Sequence, residues 1–101
     1  MRRLLSVTEA RPPLTAFAVE SAWRLNPQVA LRDEAFGALA YHYGNRRLVF
    51  LKSRLLVDLV SSLGEYPSAA EAIAALVPEG RRASYERALA RLAASEVIDV
   101  R

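Results

Sequence analysis

The sequence contains no cysteine and a single histidine, His42. The first absence excludes a disulfide framework, a thiol nucleophile and a thiolate metal site. The second leaves no convergent set of imidazole ligands for a metal and no base but His42 for a Ser-His-Asp relay. His42 falls on an expected strand across from Arg47, where a surface or partly packed imidazole is the ordinary role. Glycine is scarce too, with four residues scattered at 37, 44, 64 and 80, so no glycine-rich loop can cradle a phosphate. Ser53-Arg54 and Ser61-Ser62 lack a neighbouring base, and Asp58 and Glu65 read as solvated surface acids. No catalytic residue, metal ligand or cofactor is expected of this chain.

Long apolar runs are missing as well. Met1-Arg2-Arg3-Leu4-Leu5 opens like a secretion signal, but Thr8, Glu9, Arg11, Pro12 and Pro13 stand where the apolar segment would have to be. No stretch approaches the ~20 apolar residues that span a bilayer. The chain therefore reads as soluble and cytoplasmic. Charge of one sign is weak: 14 Lys and Arg against 11 Asp and Glu leave +3, spread along the chain. That surplus is no nucleic-acid signature, though it favours an acidic partner.

What remains is an ordinary globular composition. The 101 residues are 52% hydrophobic and 25% charged, which suits one domain with a modest core. Residues 1–18, interrupted by Arg11-Pro12-Pro13, read as an irregular arm, and 19–101 as the domain. Trp23, Leu25, Val29 and Leu31 alternate with polar residues and predict a first, half-buried strand. Pro27 inside it marks a sheet edge or a bulge. Phe36 to Tyr43 predicts a second strand and Arg46 to Lys52 a third. Gly44-Asn45 between them reads as a two-residue hairpin loop with φ > 0 at its first position. That loop pairs Tyr41 with Leu48, Leu39 with Phe50, Ala40 with Val49 and Ala38 with Leu51.

Three helices are predicted next. Ser53 is an N-cap ahead of a stripe of Leu55, Leu56, Leu59, Val60 and Leu63, with Gly64 as terminator. Ser68-Ala69-Ala70-Glu71 is a capping box for a second helix that stops before Pro78. The third runs from about Arg82 to Ser95 with Tyr85, Leu89 and Leu92 on its apolar face. Val97 to Val100 is a short terminal strand. The fold class is α+β of winged-helix type, a three-stranded antiparallel sheet followed by three helices.

In a simple meander the second strand is central and the third, Leu48-Val49-Phe50-Leu51, is an edge without proline or inward charge. Such an edge aggregates unless covered, and its unpaired N–H and C=O groups can accept an extended peptide as an added strand. Arg46, Arg47 and Lys52 flank it and suit an acidic peptide. The competing cover is intramolecular: Phe17 to Ala22, or the terminal Val97 to Val100.

These residues carry a resemblance. The run RLNPQVALRDEAFGALAYHYGNRRLVFLKS, Arg24 to Ser53, resembles the family of mycofactocin-system peptide chaperones and, more widely, the PqqD-like RiPP recognition elements. The likeness covers about residues 17–101, is specific in the strands and weak in the helices. It implies that the acidic leader of a ribosomal precursor peptide adds as a strand beside the third strand, in a groove walled by the third helix. Carried onto this sequence, that groove comprises Arg46, Arg47, Leu48, Val49, Phe50, Leu51 and Lys52, with Tyr85, Leu89 and Leu92 behind and Arg82 and Glu86 at the rim. It further implies a radical SAM maturase as partner, which would hold the iron–sulfur clusters and S-adenosylmethionine itself.

Two other readings of the same elements stand beside it. A winged helix can place its third helix in the DNA major groove, and Arg81, Arg82, Arg87 and Arg91 lie there, interrupted by Glu86 and followed by Glu96. An apolar third strand can also pair with itself, giving a structural or homodimeric module.

Overall fold

The computed structural model describes residues 17–101. The elements run β1 Trp23–Leu25, β2 Val29–Glu34, β3 Gly37–His42 and β4 Leu48–Leu51, then α1 Arg54–Ser62, α2 Ala69–Leu76, α3 Arg82–Ala94 and finally β5 Ile98–Val100. Short 3₁₀ turns at Leu63–Glu65 and Glu79–Arg81 join the helices. The class is the expected α+β. Of the arm expected over residues 1–18, only Phe17 and Ala18 fall among the described residues.

The expected first strand is two strands. Asn26-Pro27-Gln28 breaks the alternation, so that β1 pairs antiparallel with β5 while β2 joins the sheet β2-β3-β4. Proline has no N–H for a ladder, and the asparagine beside it makes the turn. Asn26 Oδ1 accepts the Gln28 N–H at 2.9 Å, and Asn26 O accepts the Val29 N–H at 2.9 Å. The apolar period runs through this break unchanged, which is why periodicity alone does not locate it.

The β3–β4 register is the expected one, with Ala38 across from Leu51, Leu39 from Phe50, Ala40 from Val49 and Tyr41 from Leu48. The loop differs. His42 N–H donates to Arg47 O at 2.9 Å and Arg46 N–H to His42 O at 2.8 Å, so the connection is the four residues Tyr43 to Arg46. Arg46 takes the left-handed conformation at φ 65, where the two-residue reading had placed Gly44. A buried histidine makes this loop affordable. His42, 3% exposed, accepts the Gly44 and Asn45 N–H groups at Nδ1, at 2.9 and 3.1 Å. Of the surface or partly packed imidazole expected there, the structure shows the packed form, and packed more fully than expected.

The helices cover one face of the sheet. Ala38, Ala40 and Leu51 are fully buried there with Leu59, Val60 and Leu63 of the α1 region and Leu89 of α3. The small side chains of Ala38 and Ala40 let α1 lie close against β3. Each large buried aliphatic side chain contributes about 1.5–3 kcal/mol. Ser53 caps α1, accepting the Leu56 N–H at 2.9 Å, and Ser68 caps α2, accepting the Glu71 N–H at 3.2 Å. Among the described residues no helix is long and apolar enough to cross a membrane.

Candidate functional site

The segments that were candidates to cover β4 are committed elsewhere. Val19 O and Ser21 O accept the Ala70 and Ala69 N–H groups at 2.8 and 3.0 Å, fixing that segment to the start of α2. Trp23 Nε1 donates to Ala18 O at 2.8 Å, and the Phe17 ring packs 5.0 Å from the Trp23 ring. The terminal strand β5 pairs with β1. Among the described residues, β4 has a backbone neighbour on one side only.

Register fixes which groups on that edge are open. Antiparallel pairs alternate between hydrogen-bonded and non-bonded. The bond from His42 N–H to Arg47 O sets the phase: Ala40–Val49 and Ala38–Leu51 are bonded pairs, whereas Tyr41–Leu48 and Leu39–Phe50 are not. The same phase leaves Tyr43, Tyr41 and Leu39 to bond with β2, as the 2.8 Å bond from Tyr43 N–H to Gln28 O requires. The N–H and C=O groups of Leu48 and Phe50 therefore point away from the sheet. Those of Val49 and Leu51 are used within it. Gly37 permits the tight approach at the end of this ladder: its φ is +148, and a Cβ there would collide with Leu51 O.

Side chains sort the same way. Leu51 is fully buried and Val49 half-buried on the helix side, while Leu48 and Phe50 are 55% and 54% exposed on the other. Phe36 packs against Phe50 with ring centroids 5.7 Å apart and ring planes tilted at 44°, so the outer face carries an apolar patch reaching the edge. Arg46 and Arg47 lie exposed at one end of β4 and Lys52 at the other. None of the three has an acidic partner among the described residues, in contrast to Arg24, Arg32 and Arg54.

Beyond the C-terminal end of β4 a shallow groove of about 240 Å³ opens against α3, lined by Lys52, Ser53, Leu56, Ser84, Tyr85, Ala88 and Arg91. Ser53 Oγ and Tyr85 Oη are 2.9 Å apart, tying the end of the strand to the helix. Arg81 donates to Tyr85 Oη at 3.4 Å and sits 5.6 Å from the centre of its ring.

These geometric features belong to a chain whose residues 22–99 match the family model described as the Peptide chaperone MftB family. The chain belongs to that family. Three curated relatives carry the name Peptide chaperone MftB. The Mycobacterium ulcerans protein is 43% identical over 97% of this chain and 94% of its own length. The Mycolicibacterium smegmatis protein is 46% identical over 81% of each chain, and that of Mycobacterium tuberculosis 42% identical over 87% of this chain and 82% of its own. No solved structure gives a significant match. A peptide chaperone is a binding protein and not an enzyme, as the residue inventory had implied.

Within this MftB-family chain the residues expected at the site separate into three groups. Leu48 and Phe50 lie on the open edge, with Arg46 and Arg47 before it and Lys52 after it, and Val49 and Leu51 are turned inward. Leu89 and Leu92 are core residues, and Tyr85, although 8% exposed, reaches the groove through its hydroxyl. Arg82 and Glu86 are not at the groove. Arg82 donates to Val77 O at 2.9 Å and Ala74 O at 3.0 Å, closing the end of α2, and Glu86 borders a different hollow with Phe17 and Arg87. At about 100° per residue, Arg82 and Glu86 sit on one flank of the buried stripe and Ser84, Ala88 and Arg91 on the other. Periodicity finds the stripe but not which flank meets β4. The groove-side residues Ser84, Ala88 and Arg91 of α3 were missed for that reason.

Proposed function

We propose that this chain binds the leader of a ribosomally made precursor peptide by strand addition to β4 and holds it, in the cytoplasm, for a radical SAM maturase. The observation that carries the reading is the open row of main-chain groups at Leu48 and Phe50, with cations at both ends of the strand that have no acidic partner among the described residues. Family membership supports the peptide as cargo, and the resemblance of Arg24 to Ser53 to PqqD-like elements supports the leader and the maturase. The iron–sulfur and S-adenosylmethionine chemistry resides in that partner enzyme.

The physical terms set the grip. The N–H and C=O of two residues offer four hydrogen bonds at about 0.5–1.5 kcal/mol each. One apolar anchor adds about 1.5–3 kcal/mol, and ordering a flexible peptide takes back roughly 2–5 kcal/mol. Main-chain recognition of this kind accepts many sequences, so side-chain contacts at the flanking cations and at the α3 groove supply the selectivity. Titration calorimetry of the full chain with the synthetic leader tests the reading. With the flanking ion pairs added to these terms, binding in the micromolar range is expected; no heat and no displacement of a labelled leader at tens of micromolar would refute it.

A further inference from the structure

The groove beyond the end of β4 is rich in donors. Two cations line it, Lys52 from the chain just after β4 and Arg91 from α3. Neither has an acidic partner among the described residues. Beside them stands a hydroxyl pair, Ser53 Oγ and Tyr85 Oη, 2.9 Å apart. Ser84, also in the lining, already donates its hydroxyl to Arg81 O at 3.0 Å. Leu56 and Ala88 supply an apolar wall.

Hydrogen counting shows what the hydroxyl pair has to give. A hydroxyl carries one hydrogen and two lone pairs. Ser53 Oγ accepts the Leu56 N–H at 2.9 Å, and Tyr85 Oη accepts from Arg81 at 3.4 Å. Their mutual bond uses one of the two hydroxyl hydrogens. If Ser53 donates, Tyr85 Oη accepts twice and keeps its hydrogen; if Tyr85 donates, Ser53 Oγ accepts twice and keeps its own. Either way one hydroxyl hydrogen has no acceptor among the described residues. Tyr85 is buried, at 8% exposure, and a buried donor calls for a partner.

Cations and a spare hydroxyl hydrogen beside an apolar wall match one kind of side chain. A carboxylate on a short aliphatic stem accepts at both oxygens and donates nothing. A cationic side chain would face Lys52 and Arg91, and an amide would bring N–H groups to a place that already donates. The groove is also close to the open edge. Lys52 and Ser53 directly follow Leu51, the last residue of β4. A guest bonded at Phe50 reaches the level of Lys52 within about two further residues.

We propose, resting on the strand-addition reading, that this groove is a subsite for one acidic side chain of the guest, selected by Arg91 together with Lys52. Arg91 is the sharper probe, because it stands on α3 and not beside the strand edge.

The test is a charge cycle read by fluorescence polarisation, with the full chain and the fluorescein-labelled leader. Each Asp or Glu of the leader is changed singly to its amide, and each peptide is titrated against the parent, Arg91→Gln and Arg87→Gln proteins. Arg87→Gln is the control: it removes the same charge from the same helix, but beside the hollow that holds Phe17 and Glu86. Arg91→Gln is expected to weaken the leader about three- to tenfold, as one partly exposed, hydrogen-bonded ion pair allows, and Arg87→Gln less than about twofold. Amidation of one leader acid is expected to cost the same factor against the parent and nothing further against Arg91→Gln. With Arg91→Glu, replacing that acid by lysine is expected to restore binding. Equal effects of Arg91→Gln and Arg87→Gln, or an Arg91 effect that no single leader acid shares, overturn the subsite and leave strand addition standing. A leader that fails to bind the parent chain refutes both.

Discussion

Proline substitution separates an open edge from a closed one, because the strand alternates. Phe50→Pro removes an N–H that points away from the sheet, so the β3–β4 ladder keeps its bonds through Val49 and Leu51. Val49 before it is already in a strand, the conformation that a residue preceding proline prefers. The lost packing of a side chain already 54% exposed and the adjustment of φ cost about 1 kcal/mol, or about 4–8 °C in Tm for a domain of this size. A guest strand loses far more. One of its four main-chain bonds disappears, and the pyrrolidine ring projects into the space that its backbone must occupy. Affinity is expected to fall at least about tenfold, equivalent to about 1.4 kcal/mol. Phe50→Ala, which removes the ring but keeps the N–H, is the control and is expected to lose less. Val49→Pro is the opposite case: its N–H faces Ala40, and removing it orphans a buried carbonyl at about 1–3 kcal/mol in addition to strain from the ring. Calorimetry with the leader, paired with thermal melts, reads both quantities. A folded Phe50→Pro protein that binds as tightly as the parent would refute the reasoning, as would a Val49→Pro protein of undiminished stability.

Three further outcomes follow from other parts of the fold. Arg82→Ala is expected to lower stability by about 1–3 kcal/mol, because the carbonyls of Val77 and Ala74 lose their donor, while leader affinity of the folded protein stays within about twofold; urea unfolding and calorimetry separate the two. Gly37→Ala forces a Cβ into Leu51 O at a φ that side chains avoid, so a melt lowered by about 1–3 kcal/mol is expected, with weaker peptide binding as β4 shifts. His42→Leu leaves the Gly44 and Asn45 N–H groups without their acceptor, and about 1–3 kcal/mol of stability should go with it; unchanged stability in denaturant would show that the loop does not depend on the imidazole.

Much of the fold could be read in the sequence, and the misses share a cause. Strand register across β3 and β4 was legible because an odd shift would have put Leu51 and the two alanines on the solvent face. Helix starts were legible at Ser53 and Ser68, where local capping chemistry decides. The break at Asn26-Pro27-Gln28 was not, since apolar alternation continues through it and only the pairing of β1 with distant β5 separates the two strands. His42 stands across from Arg47 as expected, but its full burial was not legible, because it depends on the four-residue loop folding back over the ring, a tertiary event that leaves no periodic trace. At the candidate site, Arg46, expected within the edge strand, belongs to the loop, but the strand Leu48 to Leu51 was legible from pattern. The α3 side of the groove was not: Arg82 looked like a rim cation, but the turn at Glu79–Arg81 places it against the end of α2.

The central claim concerns a few main-chain groups, and amide hydrogen exchange followed by NMR observes them individually. In the free protein, the amides of Val49 and Leu51 are expected to be protected by β3 and those of Leu48 and Phe50 to exchange rapidly. Saturating leader peptide is expected to slow exchange at Leu48 and Phe50 and to change Val49 and Leu51 little. Amides of Leu48 and Phe50 that are already protected without peptide, or that exchange just as fast with it bound, would contradict the account.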